Sequence, residues 1–304
     1  MKCIICKKEE KESVEHIIPE ALGNKKLITK RVCNKCNNML GTNIDDYLTN
    51  HFIVKAIREK NDIGNEDKQI KLWAGVETDE RTGKKYKIKK DKVIFQPNMF
   101  QEQDGSNVIE AASKKDGVAY LKKIMKRKRY SNEYIDKLLK EAVIKEGEEV
   151  SSLEFKKEIS IDYSRFALAV IKIAYEYAFT KLGETYLDDE VAVLFSNELF
   201  QNAYSMRKNN EISDELAKFV IFLNNNDSKW TILTEIKDNI SKLNQPVLHN
   251  ITMLRKDESL YCAVTLCVEP YLSSIIKITQ NAGNYKIQMA SSYILKNGAV
   301  LEIP

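Results

Sequence analysis

The sequence predicts an α+β protein: a cysteine-rich N-terminal head, a mostly helical region after it, and a C-terminal antiparallel β meander. Three observations carry this reading. Four of the six cysteines fall within the first 36 of 304 residues, as two CxxC pairs. A strong helical pattern occupies residues 160–187, and beyond about residue 245 the apolar residues recur with period two.

Composition sets the outer bounds. With 43% hydrophobic and 30% charged residues, 11 glycines and 5 prolines, the chain fits a helix-rich globular protein and excludes a fibrous or disordered one. Its length supports two or three domains. No run approaches the roughly 20 apolar residues that span a bilayer, and the N-terminus lacks a signal-peptide pattern, so a cytoplasmic location and no membrane partner are expected. The net charge of +4 names no partner by itself.

The chain divides into a head over 1–60, a β hairpin with a helical linker region over 61–150, and a helical and β-meander C-terminal domain over 151–304. Residues 70–97 read as strand, turn, strand, with Thr82 and Gly83 at the tip and alternation through Tyr86, Ile88, Val93 and Phe95. Residues 117–147 carry a helical stripe: Val118, Leu121, Ile124 and Met125, then Tyr134, Ile135, Leu138 and Leu139. The segment 160–187 is a core helix with Phe166, Val170, Ile173, Ala174 and Tyr177 on one face and Gly183 as a C-terminal stop. The meander is read from "VLHNITML", a "RKDES" turn, "LYCAVTLCV", "SSIIKIT" and "YKIQMA". Cys262 and Cys267, set among Val, Leu and Tyr, read as small buried hydrophobes.

In the head, Cys3-x2-Cys6 and Cys33-x2-Cys36 supply four thiolates from two tight turns, the arrangement that closes a tetrahedral zinc site. So short a segment buries too little apolar surface to fold alone, and zinc supplies the missing folding energy. A four-cysteine site is closed, so any chemistry belongs to other residues. Between the pairs lies "EHIIP", with Glu15 and His16, and directly after the second pair come Asn37 and Asn38. Closing the metal loop brings His16 and Asn37 near each other. The chain has three histidines; His51 and His249 have no comparable surroundings and receive no role.

The order Cys3, Cys6, Glu15, His16, Ile17, Pro19, Gly23, Cys33, Cys36, Asn37 and Gly41 resembles an HNH endonuclease of the zinc-ribbon kind. The resemblance implies a ββα-metal head with a single Mg²⁺ or Mn²⁺ ion, His16 as general base, and Glu15 and Asn37 as catalytic ligands of the ion, while Cys3, Cys6, Cys33 and Cys36 hold structural zinc. The chemistry agrees: imidazole deprotonates water near neutral pH, and a hard cation with oxygen ligands neutralises charge on a scissile phosphate. One position departs from the family pattern. Ile28 stands where many members carry a middle asparagine that orients the histidine, which leaves a backbone carbonyl, Asn24 or Asn38 for that task. Asp45 and Asp46 either support the metal or complement the dipole of the following helix.

No acidic residue occurs from Ala21 to Ile44, while Lys25, Lys26, Lys30, Arg31 and Lys35 accumulate there, the expected contacts to a phosphate backbone. A second run, "KKIMKRKRY" at 122–130, holds six basic residues in nine positions and reads either as a further phosphate contact or as a solvated helix face. The expected function is metal-dependent hydrolysis of DNA phosphodiesters, of the kind found in bacterial restriction or anti-phage defence. Against it stands a zinc ribbon that grips nucleic acid or protein without cutting. A homodimer suits two-strand cleavage by a one-metal site, and the C-terminal region is where an activating partner or ligand would act.

Overall fold

The computed structural model describes residues 1–63, 75–89, 92–145, 147, 152–155, 162–204, 212–222, 238, 240–243, 245–269 and 272–303. The chain forms two compact units, Met1–Ile70 with Ser160–Pro304, and Lys71–Ile159.

In the first unit, strands β1 (Glu15–His16) and β2 (Ile28–Thr29) pair antiparallel, with Glu15 opposite Thr29 and His16 opposite Ile28. Helix α1 (Asn34–Leu40) follows, capped by Cys33, and runs through a π turn (Gly41–Asp45) into α2 (Asp46–Asn50). His51, with extended dihedrals, breaks the helix expected from Asp45 onward and separates α2 from α3 (Phe52–Lys60). Asn24 closes the loop between the two strands. Its side chain is fully buried and bonds the main chain on both sides, to Ile18 O, Leu27 O, Leu27 N and Lys26 N.

The second unit holds a three-stranded sheet of β3 (Gly75–Thr78), β4 (Lys85–Lys89) and β5 (Lys92–Phe95), then the hairpin β6 (Asn98–Gln101) and β7 (Asn107–Glu110). Thr82 and Gly83 form the first turn as expected, and Gly83 takes a positive φ of 68°. The start of the expected strand, residues 70–74, lies outside the described residues. The helical stripe over 117–147 is two helices, α4 (Lys114–Arg127) and α5 (Asn132–Glu141). Arg129 adopts φ 64°, which reverses the chain, and Ser131 then caps α5 by accepting from Tyr134 N.

The first unit resumes with α6 (Tyr163–Leu182), ended by Gly183, and continues through α7 (Glu190–Tyr204) and α8 (Asp214–Ala217). Every residue of α6 from Phe166 to Phe179 is buried, so the one-faced stripe expected here is instead a helix enclosed on all sides. It packs on a six-stranded antiparallel sheet in the order β13-β12-β9-β10-β11-β8, built from β8 (Val220–Phe222), β9 (Val247–Lys256), β10 (Ser259–Thr265), β11 (Ser273–Thr279), β12 (Met289–Leu295) and β13 (Val300–Ile303). The meander holds through β9, β10 and β11; β12 then crosses back to pair with β9. Cys262 is fully buried in β10. Head residues Ile4, Ile17, Ile18 and Leu40 share one apolar core with α6, α7 and the sheet. Among the described residues no helix is long and apolar enough to cross a membrane.

Candidate functional site

Both cysteine pairs sit on tight turns. Lys7 adopts φ 59° just after the first pair, and Cys3 N donates to Lys8 O at 2.9 Å. Cys33 Sγ accepts from Cys36 N at the start of α1. The two turns are stitched together by Ile4 N donating to Arg31 O and by Cys33 N donating to Cys3 Sγ at 3.4 Å. All four Sγ atoms lie within 4.8 Å of one another, and Cys6 and Cys33 are 3.9 Å apart. Zinc–sulfur bonds of about 2.3 Å put tetrahedral sulfurs about 3.8 Å apart, so the donor set fits zinc. Thiols this close share protons. A hydrogen bond with Cys36 holds Cys3 down at about 4, and the same bond, with burial, pushes Cys36 up. A dication among four such sulfurs removes the conflict by ionising all of them.

Beside this clasp stands the candidate site. Asn37 on α1 donates from Nδ2 to Val14 O at 2.8 Å and to Ser13 Oγ at 3.2 Å, which fixes the helix against the approach to β1. Val14 and His16, two residues apart on an extended chain, share a face. His16 and Asn37 are both half-buried, and the Asn37 bond to Val14 O ties the helix to the chain two residues before His16. Among the described residues, no hydrogen bond engages Asn37 Oδ1 or either ring nitrogen of His16.

Glu15 points the other way, because successive strand side chains face opposite sides. Its carboxylate is buried and paired with Lys172 of α6. The expected role of Glu15 is as a ligand of the catalytic ion; the observed partner of its carboxylate is the Lys172 ammonium. Lys172 directs its three protons to Glu15, to Asp45 Oδ2 at 3.2 Å and to the main-chain carbonyl of His16 at 2.9 Å. Glu176, one turn further along α6, lies 3.5 Å from the same Nζ. Burial pulls the Lys172 ammonium down, but Asp45, Glu176 and Glu15 outweigh it and hold its pKa well above the ordinary value. Burial pushes Asp45 up to about 6 and raises Glu176 well above its ordinary value, against the pull of Lys172.

Asn24 is fully engaged in the loop, Asn38 is exposed, and neither bonds the imidazole. Lys172 instead holds the main chain of His16, and Asn24 braces the strand end at Ile18. Asp45 faces Lys172, while Asp46 is exposed and accepts from Asn50. Neither Lys172 nor Glu176 stood out in the sequence, where each reads as a polar position within an apolar helix.

Of the five head cations, Lys25, Lys26, Lys30 and Lys35 are exposed. Lys35 lies over the Tyr204 ring at 5.2 Å. Arg31 forms an ion pair with the exposed Glu184 and covers the Phe179 ring. His249 is fully buried and bridges the sheet to the head: Cys267 N donates to its Nδ1, which leaves Nε2–H to donate to Leu22 O at 2.7 Å. Burial lowers its pKa to about 4, so it is neutral at physiological pH.

Residues 3–53 match the family model described as HNH endonuclease. No curated protein and no solved structure matches the chain.

Proposed function

We propose that the chain is a metal-dependent endonuclease that hydrolyses DNA phosphodiester bonds at the surface shared by His16 and Asn37. The observation that carries this reading is the bond from Asn37 to Val14 O, which sets an amide beside the strand of the imidazole within a segment matching HNH endonucleases. In this reading the two short strands and α1 form the ββα-metal unit, and the cysteine cluster is its zinc clasp.

His16 takes a proton from the attacking water, a task suited to imidazole at neutral pH. Lys172 fixes the main chain from which that ring projects, and Glu15 acts through Lys172 rather than on the phosphate. Asn37 Oδ1 would hold one position of a Mg²⁺ or Mn²⁺ ion, the rest falling to phosphate and water. Such an ion supplies charge neutralisation at the scissile phosphate and leaving oxygen. Lys25, Lys26, Lys30 and Lys35 meet the flanking backbone. By likeness to nucleases that carry such a head on a larger body, we extend the proposal to restriction or anti-phage defence, with the C-terminal region responding to a partner or ligand.

One observation favours a second reading, a zinc-bound module that grips nucleic acid without cutting: the Lys172 pairing withdraws Glu15 from the set of ion ligands. Supercoiled plasmid separates the two. Conversion to nicked or linear DNA on addition of Mg²⁺ or Mn²⁺, with a higher ion requirement for Asn37→Ala, supports the nuclease. Plasmid retained uncut at every ion concentration supports the grip.

A further inference from the structure

The unit over 71–159 contains a surface that the head does not account for. On α4, Val118, Leu121, Ile124 and Met125 are half-buried on the side facing the β6–β7 hairpin. At Gly117 a Cβ would be in ordinary contact with Ile109 Cγ2 of β7, at 4.0 Å, and with Ala111 just after it. Opposite this side, Lys115, Lys122, Lys123, Lys126 and Arg127 are all exposed, and Lys128 and Arg129 continue the charge past the helix end. No acidic residue lies between Gly117 and Asn132. Among the described residues, the ion pair of these two helices is Lys137 with Glu141, away from the basic face.

Helix stability does not explain this placement. Lys122 with Lys126, and Lys123 with Arg127, are like charges at i, i+4, each unfavourable by about 0.2–0.5 kcal/mol. Lys114 and Lys115 occupy the first turn, where the helix dipole favours acids. Arg129 sits at φ 64°, a conformation that favours glycine. The dipole accounts for Lys126 and Arg127 alone. A surface kept soluble by charge mixes the two signs; here the one acid of the helix, Asp116, sits in its first turn bonded to Ser113, and no other follows until Glu133.

Directly after the basic helix, Tyr130 and Tyr134 stack on each other with centroids 5.0 Å apart and an interplanar angle of 21°, and the two side chains are 46% and 44% exposed. A cationic track that ends in an open aromatic ledge suits a nucleic acid: phosphates run along the lysines, and an unpaired base extends the stack. A membrane surface requires an apolar face free to enter lipid. The apolar residues of α4 are half-buried on the hairpin side, and its exposed side is cationic.

We propose that α4 and the Tyr130–Tyr134 pair form a second nucleic-acid site, selective for single-stranded segments and independent of whether the head cuts. The full chain, without added divalent ion, is titrated into a labelled single-stranded oligonucleotide and into the matching duplex across a salt series, with fluorescence anisotropy as readout. Neutralising Lys122, Lys123, Lys126 and Arg127 together to Gln is expected to lower single-strand affinity more than tenfold and to reduce the salt slope by about 3. The double variant Tyr130→Ala with Tyr134→Ala is expected to lower single-strand affinity about tenfold and duplex affinity less than twofold. Both variants alter exposed side chains, and circular dichroism melts matching wild type confirm their folding. Unchanged affinity and slope in the Gln variant would overturn the proposal. So would wild type that binds phosphatidylserine vesicles through these residues but no oligonucleotide. A chain that binds in this way yet never cleaves plasmid leaves the second site standing and removes the nuclease reading instead.

Discussion

Lys172 Nζ donates to the main-chain carbonyl of His16 at 2.9 Å, across 156 positions of sequence. The same ammonium pairs with Glu15 beside it and with Asp45 at the head's far end, and it has no exposure to solvent. Tyr175, one turn along α6, donates from its hydroxyl to Ile4 O inside the first cysteine turn, and Phe179 lies under Arg31. Helix α6 therefore holds the metal turn and the candidate site strand together. The head is built against the C-terminal part of the chain and does not hang from it as a separate module.

Breaking a buried ion pair from one side leaves the other charge without a partner, which costs about 3–5 kcal/mol. Lys172→Met is expected to destabilise the first unit by about that much in urea unfolding. Lys172→Arg, which keeps the charge, is expected to destabilise it less. Equal losses in the two variants would show that packing, not charge, is what Lys172 contributes.

His249 makes stability depend on pH in a definite direction. Its pKa is lowered from 6.5 to about 4 in the fold, so the folded state binds fewer protons than the unfolded one between those values. The contribution is fully present above about pH 6.5 and is lost as pH falls toward 4, by up to about 3 kcal/mol. His249→Gln, which keeps an N–H for Leu22 O, is expected to flatten that dependence. Parallel stability curves for variant and wild type between pH 7 and 4 would contradict the assignment.

Zinc content separates the two groups of cysteines. Atomic emission should find about one zinc per chain. Cys33→Ser is expected to lose most of it together with helical signal, whereas Cys262→Ala retains it. Zinc retained in full by Cys33→Ser would mean that the metal is held elsewhere.

Asn24 tests the loop. It bonds four main-chain atoms while fully buried, and leaving such partners unsatisfied costs about 1–3 kcal/mol. Asn24→Ala is expected to lower the unfolding midpoint and to speed hydrogen exchange at Leu27 N. Unchanged exchange at that amide would mean that the loop is held by other contacts.

Much of this was legible in the sequence because it rests on local spacing. Two CxxC pairs, an EHIIP segment and an asparagine after the second pair are short-range patterns, and the structure sets the four sulfurs together. Period-two alternation located β9, β10 and β11, while the strand expected at 285–290 falls mostly before β12, and Thr82 with Gly83 marked a turn. What stayed hidden depends on contacts distant in sequence. Lys172 and Glu176 looked like polar interruptions of a one-sided helix, since the head partners of Lys172, Glu15 and Asp45, lie more than a hundred residues away. The inward face of Glu15 follows from the strand's alternation, but only once the body behind that strand is known. The return of β12 to β9 is a pairing choice that periodicity does not encode.

The most direct measurement is cleavage of supercoiled plasmid by the full chain with Mg²⁺ or Mn²⁺, comparing wild type with His16→Ala at matched zinc content and melting temperature. Wild type is expected to nick or linearise the plasmid, and the variant to be slower by about 10²-fold or more. Equal cleavage by the two proteins would contradict the assignment of His16 as the base and, with it, the reading of this surface as a nuclease centre.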